Sequence, residues 1–222
     1  MKVGVVLPTF SASAEAALAV AAQAERAGID GVFAYDHIWP MGSPGRPALS
    51  PFPILAAVAT RHPKLIVAPL VARVSLAEPE QLAERFATLE MIAPGRVIAA
   101  LGTGDSLSLD EELALGLSTL SSTARRERLR AVVKLLPEGM EKWCGGGGAQ
   151  TNRIAREFNM TLNLWDSSSS ELAKAATEGP VCWAGPKPGN MSEAVRSYEE
   201  AGATWAVLAG TVNLEILASL RE

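Results

Sequence analysis

The strongest candidate for catalysis is the pair of Asp36 and His37, which directly follows the apolar run GVFAY. An imidazole can donate a proton to a substrate or accept one near neutral pH. Trp39 follows two residues later, so a carboxylate, an imidazole and a large ring would project near one point. A hydrogen-bonded histidine without a catalytic role fits the same pattern, and position alone leaves both interpretations open. His62 precedes its apolar run and is interpreted as structural.

A second candidate is the turn LGTGDS at 101–106. Gly102 and Gly104 lack side chains, so the backbone can closely approach a planar or phosphorylated ligand, while Thr103 supplies a hydroxyl. Asp105 would add a carboxylate. The segment is not a GxGxxG motif, which disfavours a dinucleotide-binding unit, and a plain tight turn is the alternative.

The segment CGGGGAQTNRIAREF at 144–158 runs from a predicted strand through glycines into a predicted helix. Free backbone N–H groups at a helix N-terminus favour an anion. The segment therefore predicts that Gly145, Gly146 and Gly147 contact a phosphate. A flexible linker is the alternative interpretation.

Metal and nucleophile chemistry are not indicated. The two histidines and two cysteines are far apart in the sequence, and no GxSxG motif is present. Cys144 and Cys182 are interpreted as free, buried thiols. A redox cofactor bound from outside would explain how so few catalytic side chains could perform chemistry.

Composition favours a small soluble ligand as the partner. The 222 residues are 48% hydrophobic and 20% charged, the formal charge is −4, and no run of Lys or Arg occurs. These values disfavour a nucleic-acid groove or an anionic membrane surface. The apolar start ends at Pro8, which predicts neither a signal peptide nor a membrane span, and a cytoplasmic location is expected.

Short β-branched runs alternate with helical patterns along the whole chain, as in a parallel sheet built from βαβ units. Strands are predicted at 2–7, 31–35, 65–70, 97–101, 140–144, 160–164, 181–184 and 205–209. Helices are predicted at 14–27, 51–60, 79–92, 122–135, 149–157, 168–177, 191–201 and 212–220.

This order predicts a compact α/β protein, a (β/α)8 TIM barrel forming one domain over residues 1–222, with an open doubly wound sheet as the alternative. In such a barrel the residues that follow strands form the active mouth. Thr9 and Phe10 belong to this set. So do Trp39 and Trp165, which are predicted to contact the substrate.

Several segments resemble the luciferase-like monooxygenase superfamily, which includes bacterial luciferase, FMN-dependent monooxygenases and dehydrogenases that use the deazaflavin coenzyme F420. The similar segments occur in the family's order and cover most of the chain. They are AERAGIDGVFAYDHIWP at 24–40, EPEQLAERFATLEMIAPGRVIAALGTGD at 78–105, ARRERLRAVVKLL at 124–136, KWCGGGGAQTNRIAREFNMTLNLW at 142–165 and YEEAGATWAVLA at 198–209.

The resemblance implies roles for the candidate residues. It places His37, with Asp36 beside it, near the reacting ring and the substrate. It gives Asp105 the position of an acidic residue found in deazaflavin-dependent members. The turn from Gly102 to Gly104 would touch the cofactor, and Gly146 and Gly147 would hold its phosphate.

The resemblance also implies a non-proline cis peptide at the end of the third strand, near Pro69, Leu70 and Val71. These three residues are therefore expected to contact the cofactor. Such a bond is rare outside functional sites.

One departure from the family pattern concerns the substrate lid. Family members usually carry a long insertion before the glycine-rich strand, whereas here only LPEGME separates Leu135 from Lys142. A site without a lid is open to water, which hydride transfer tolerates better than flavin monooxygenation does.

F420-dependent hydride transfer on a small organic substrate is therefore the favoured function. The alternatives are an FMN-dependent monooxygenase, a flavin-binding barrel that has lost catalysis, and an unrelated phosphate-binding isomerase or aldolase. A homodimer is possible through the small-residue face of 14–27.

Overall fold

Strands and helices alternate along the chain, and each predicted element is present with its ends within two residues of the prediction. The computed structural model describes residues 1–104, 108–146 and 148–221. The strands are β1 (Lys2–Val6), β2 (Gly31–Ala34), β3 (Ile66–Pro69), β4 (Ala72–Arg73), β5 (Ile98–Gly102), β6 (Glu141–Gly145), β7 (Thr161–Trp165), β8 (Val181–Pro186) and β9 (Ala203–Ala209). The helices are α1 (Glu15–Ala27), α2 (Pro51–Arg61), α3 (Pro79–Ile92), α4 (Leu109–Ala114), α5 (Ser122–Leu135), α6 (Ala149–Glu157), α7 (Ser169–Ala176), α8 (Met191–Glu200) and α9 (Leu214–Ala218).

All strands belong to one parallel sheet with the order β3-β2-β1-β9-β8-β7-β6-β5-β4. Its two ends, β3 and β4, are neighbours in sequence, and a bridge between Val67 and Val97 links β3 to β5. The sheet therefore curves into a nearly closed ring, which confirms the predicted barrel. The structure adds the two-residue strand β4 to the eight predicted strands.

Three aromatic rings fill the interior of the ring. The Phe33 ring centroid lies 5.4 Å from that of Trp143 and 5.6 Å from that of Trp205. A Cβ atom on Gly31 would lie 3.1 Å from the Trp205 ring, so the glycine allows this ring to approach the strand closely. Burial of such rings stabilises the fold by about 4–6 kcal/mol each before the entropy cost. The packed interior leaves the mouth of the barrel as the place for a ligand.

The helices cover the outer face of the ring with apolar side chains, and several have the ends that their sequences predict. Helix α1 stops at Gly28, whose φ of 83° is easily adopted only without a side chain. Helix α7 begins with a capping box between Ser168 and Glu171, and Asn190 caps α8 by accepting from the backbone N–H of Glu193.

Among the described residues, helix α4 is the second element, after the short strand β4, that the sequence pattern does not predict. Its six residues, LDEELA, include three acidic side chains, a composition typical of a solvated segment. Glu111 and Glu112 are nevertheless almost fully buried. The short helix therefore brings two carboxylates inside the protein.

Other expectations concern single residues. His62 lies at the N-terminal end of the barrel, as predicted, where its Nδ1 is 3.0 Å from Glu25 Oε2. Cys144 and Cys182 are free and buried, as expected. Among the helices of the described ranges, none has the length and apolarity needed to cross a bilayer.

Candidate active site

A cavity of about 500 Å³ opens at the mouth of the barrel, where the strands end. The residues that line this main cavity follow β1, β2, β3 and β5, together with Arg73 of β4, Ser108 just before α4 and Trp165 at the end of β7. An adjoining cavity of about 380 Å³ shares part of the same wall and extends toward α6. Residues that line both are Leu70, Val71, Gly104 and Trp165.

Most of the residues predicted from sequence meet at these two cavities. Asp36 and His37 line the main cavity. The adjoining cavity is lined by Gly102, Thr103, Gly145 and Gly146.

Two of the described site residues are not part of this lining. Trp39 and Pro69 do not line either cavity. Asp105 and Gly147 lie outside the described residues. Of the two tryptophans predicted to contact substrate, only Trp165 is therefore placed at the cavity.

The imidazole of His37 is held by a carboxylate from α4. Glu111 Oε1 lies 2.6 Å from His37 Nδ1, and Glu111 Oε2 accepts hydrogen bonds from the backbone N–H of Ile38 at 2.9 Å and from Arg73 Nη2 at 2.7 Å. If the Glu111 carboxylate is ionised it can only accept, and this contact then places a proton on Nδ1. The neutral ring then has Nε2 as its proton acceptor, which is the form that a general base requires.

Arg73 links the two acidic residues of the site. It is buried, its Nη2 donates to Glu111, and its backbone N–H donates to Asp36 Oδ2 at 2.8 Å. Its Nε and Nη1 atoms have no hydrogen-bond partner among the described residues. Both atoms are buried, so the described residues leave part of the guanidinium group unsatisfied.

Asp36 holds the backbone of the neighbouring loop. Burial raises the pKa of its carboxyl group, and the hydrogen bond from the Arg73 backbone together with nearby positive charges opposes this rise. The hydrogen bond fixes the chain just after Leu70 and Val71. The structure thus gives Asp36 a contact with backbone, in addition to its place on the cavity wall.

The wall of the adjoining cavity combines a cis peptide with glycines. The Leu70–Val71 bond is cis, as the resemblance predicts. A Cβ atom on Gly102 would overlap Val71 Cγ2, and one on Gly145 would lie 3.1 Å from the same atom. A Cβ on Gly146 would lie 2.8 Å from Leu162 Cδ1. These glycines leave a smooth surface of backbone and one valine, which suits a flat ring.

The far end of the adjoining cavity reaches the start of α6. Gly148 is the N-cap residue of this helix, and Thr151 in its first turn is buried and lines the cavity. The first backbone N–H groups of a helix have no partner within the helix and favour negative charge. This end of the cavity therefore suits a phosphate.

Glu111 is the main site residue that the sequence motifs miss. The neighbouring Glu112 is also buried and accepts a hydrogen bond from Ser75 Oγ at 2.6 Å. No glycine, aromatic residue or spacing marks this acidic run as part of a site. The one signal in the sequence that points to Glu111 is its position shortly after the GTGD turn.

A family model described as luciferase-like monooxygenase matches residues 1–201. Curated relatives include the F420-dependent glucose-6-phosphate dehydrogenase of Nakamurella multipartita, 38% identical over 130 residues that make up 58% of this chain and 37% of the relative. The enzyme of the same name from Microbacterium testaceum is 33% identical over 123 residues, 55% of this chain and 35% of the relative. The matched part of the chain thus spans about a third of the length of these relatives.

Solved structures with the same fold cover almost all of the chain. An F420-dependent secondary alcohol dehydrogenase in complex with an F420-acetone adduct has a TM-score of 0.81 at 15% identity, with 99% of this chain and 97% of that chain covered. The coenzyme F420-dependent tetrahydromethanopterin reductase of Methanopyrus kandleri has a TM-score of 0.73 at 13% identity, with 99% and 96% covered. At these identities the structural likeness shows the fold, while the family model covers most of the sequence. The chain belongs to the luciferase-like monooxygenase family.

Proposed function

We propose that this chain is an F420-dependent oxidoreductase that moves a hydride to or from a small alcohol or carbonyl compound. The observation that carries the proposal is His37, oriented by Glu111 at 2.6 Å, on the rim of a cavity whose neighbouring wall is smooth enough for a flat ring. A proton acceptor next to a flat ring site is the arrangement that alcohol oxidation by hydride transfer requires.

The residues present fit a deazaflavin. Val71, Gly102 and Gly145 would lie against its ring system, because all three line the adjoining cavity and the two glycines project no side chain into it. Gly146 and Thr151, near the start of α6, would contact its phosphate. When bound, the deazaflavin supplies the group that accepts or donates the hydride.

The protein's own residues would handle the proton. His37 Nε2 would accept the proton of a substrate hydroxyl during oxidation and return it during reduction. Glu111 would stabilise the imidazolium that forms, because its carboxylate already contacts Nδ1. Arg73 would keep Glu111 in place, because its Nη2 donates to the same carboxylate.

The open mouth supports hydride transfer over oxygen chemistry. Met41 and Trp165 line the main cavity and are 59% and 47% exposed. Water can therefore reach the reacting groups, and hydride transfer tolerates water better than flavin monooxygenation does. The F420-dependent names of the curated relatives support the same choice.

The test begins with binding. The purified chain is titrated with F420 and, separately, with FMN, and fluorescence reports each complex. We expect F420 to bind and to be reduced on addition of either 2-propanol or glucose 6-phosphate, the two substrate classes named for the relatives. Binding of neither cofactor, or of FMN alone, would contradict the proposal.

The catalytic role is tested with His37→Ala. We expect turnover to fall by about 10²- to 10⁴-fold while affinity for F420 stays within a few-fold, because general acid–base catalysis contributes about this factor. The matched control is His62→Ala, which removes the other histidine at the opposite end of the barrel. Unchanged turnover in His37→Ala would refute the assignment.

A further inference from the structure

One side of the main cavity is a continuous surface of aromatic rings. The Tyr35 ring centroid lies 5.4 Å from that of Phe10 and 6.0 Å from that of Trp165. All three rings line the cavity, and we call them the aromatic wall. The imidazole of His37 adjoins this wall, since its ring centroid lies 6.4 Å from those of both Phe10 and Tyr35. The proposed proton acceptor and the aromatic wall therefore belong to one surface.

Other parts of the lining are apolar as well. Met41, Leu70 and Val71 contribute aliphatic side chains to the cavity. Burial raises the pKa of Tyr35 to about 12, so its phenol stays neutral at the pH of an ordinary assay. Walls of this kind stabilise an apolar group, and an aromatic group in particular, over a group covered with hydroxyls.

The charged and titratable residues among the described lining offer no free partner to an anion. They are Asp36, His37 and Arg73. The Arg73 guanidinium donates through Nη2 to Glu111, and its Nε and Nη1 atoms are buried. The Nδ1 atom of His37 already contacts Glu111. A phosphate in this cavity would lose its hydration without gaining an ion pair.

We infer that the substrate is an uncharged alcohol, or the matching carbonyl compound, with an aromatic group on the carbon that carries the oxygen. The inference rests on the proposed function, and it makes Phe10, Tyr35 and Trp165 the residues that determine specificity. With the hydroxyl at His37 Nε2, a group on the adjacent carbon lies against the aromatic wall, because these rings adjoin the imidazole.

The reaction needs no further reactant. On oxidation the C–H bond of the alcohol carbon breaks, and the hydrogen leaves with its electron pair for the bound deazaflavin. The hydroxyl proton passes to His37 Nε2, and the C=O bond of an aryl ketone or aldehyde forms. Reduction of the carbonyl compound is the reverse of these steps.

Binding is tested on the whole chain, first alone and then saturated with F420, with 1-phenylethanol and glucose 6-phosphate as probes. The methionine methyl groups are labelled, and their NMR signals are followed in each titration. We expect 1-phenylethanol to shift the Met41 signal saturably, because Met41 lines the main cavity. Met91, which is 74% exposed and lines neither cavity of the site, is the internal control and should not shift. Glucose 6-phosphate at the same concentration should shift neither signal.

Specificity is measured by F420 reduction with 1-phenylethanol, 2-propanol and glucose 6-phosphate. We expect kcat/KM to be at least about tenfold higher for 1-phenylethanol than for 2-propanol, because a phenyl group buries much more apolar surface than a methyl group does. Glucose 6-phosphate should be the poorest substrate of the three.

A variant of the aromatic wall tests its role. Trp165→Ala should lower the ratio of kcat/KM for 1-phenylethanol over 2-propanol by about 3- to 10-fold, the effect of one aromatic contact. Trp165 is 47% exposed, so its removal leaves the core intact, and thermal melting establishes that the variant is folded. Trp39→Ala is the matched control and should keep the wild-type ratio, because Trp39 lines neither cavity.

Failure of this inference and failure of the proposed function are distinguishable. If F420 is reduced fastest with glucose 6-phosphate, or if folded Trp165→Ala keeps the wild-type ratio, the substrate inference is overturned while the proposed function stands. If no alcohol reduces F420, the proposed function fails, and the titrations decide the substrate inference. Absence of a saturable Met41 shift with 1-phenylethanol, both with and without F420, overturns it.

Discussion

His37 Nδ1 lies 2.6 Å from Glu111 Oε1, although the two residues are 74 positions apart in the sequence. The same carboxylate also accepts hydrogen bonds from the guanidinium of Arg73 and from the backbone N–H of Ile38. Helix α4 thus positions the Glu111 carboxylate, which orients the imidazole of the proposed site.

Replacement of Glu111 by Gln should lower kcat by about 10- to 100-fold, because the imidazolium loses the charge that stabilises it. The KM should change little, since Glu111 does not line the main cavity. The unfolding free energy should fall by up to about 3–5 kcal/mol because buried Arg73 loses its charged partner. Steady-state kinetics and urea unfolding measure both effects.

Glu112→Gln is the control for this change. Glu112 is the next residue on the same helix and equally buried, yet it contacts Ser75 rather than His37. The Glu112→Gln variant should be less stable than the wild type but should keep its kcat. Equal losses of kcat in the two variants would rule out a specific role for Glu111.

Gly102→Ala should weaken cofactor binding at least tenfold. Its new methyl group would overlap Val71 Cγ2 and displace the wall on which we propose the ring lies. Overpacking of this kind costs about 1–3 kcal/mol of stability. Cofactor titration and thermal melting provide the measurements.

A double variant separates this collision from other effects. Gly102→Ala with Val71→Ala removes the atom that is struck, so the two changes should be strongly non-additive and stability should partly recover. Gly189→Ala is the control, because nothing lies within 4 Å of the position of its added Cβ. Additive losses in the double variant would show that the contact between Val71 and residue 102 is not responsible.

The stability of the fold should depend on pH through Asp36. Burial raises the pKa of this carboxyl group in the folded state, so the folded protein favours the protonated form. The stabilisation from Asp36 is complete below the unfolded pKa of about 3.9 and is lost as the pH rises through the folded pKa. The stability of Asp36→Asn relative to wild type should therefore increase with pH across this window in urea unfolding.

Glu25 should make the stability of the fold depend on pH in the opposite direction. The backbone hydrogen bond from Lys64, followed by contacts with His62, lowers the pKa of its carboxyl group. Its stabilisation is present above the unfolded pKa of about 4.3 and is lost as the pH falls through the folded pKa. Glu25→Gln should then lose stability relative to wild type as the pH rises. A slope of the opposite sign in either variant would contradict the assignment for that residue.

The two thiols should resist labelling in the native protein. Burial raises the pKa of Cys144 to about 12 and also raises that of Cys182, so the reactive thiolate is scarce at pH 8. A thiol-specific reagent should modify neither residue without urea and both after unfolding. Mass spectrometry counts the labels, and Cys144→Ser should give one label on unfolding. Fast modification of either thiol in the folded chain would disprove the prediction.

The barrel could be predicted from sequence because its strands are apolar runs bounded by turns. Even the weaker segments at 140–144 and 160–164 form strands within one residue of their predicted ends. The family resemblance also predicts a cis peptide near Pro69 to Val71, and the structure has it between Leu70 and Val71. The catalytic roles, the cytoplasmic location and the homodimer stay predictions.

Helix α4 could not be predicted in the same way. A short acidic segment such as LDEELA ordinarily faces solvent, and its burial depends on partners that only the fold brings together. Glu111 is stable inside the protein because Arg73 from β4 and His37 from the loop after β2 both contact it. Such a cluster has no local sequence pattern, so its members are recognisable only as single polar residues.

The strands of the barrel are not fully paired between β3 and β5, and the proposed ligand site lies at this gap. Between β3 and β5 the described residues form a single bridge, that of Val67 with Val97, and the chain itself crosses the remaining gap through Leu70 and Val71. Gly102, at the end of β5, lines the other edge of the gap. A molecule on this wall contacts both edges at once, so its binding free energy opposes their separation. A bound ligand would therefore stabilise the closed barrel in addition to taking part in the reaction.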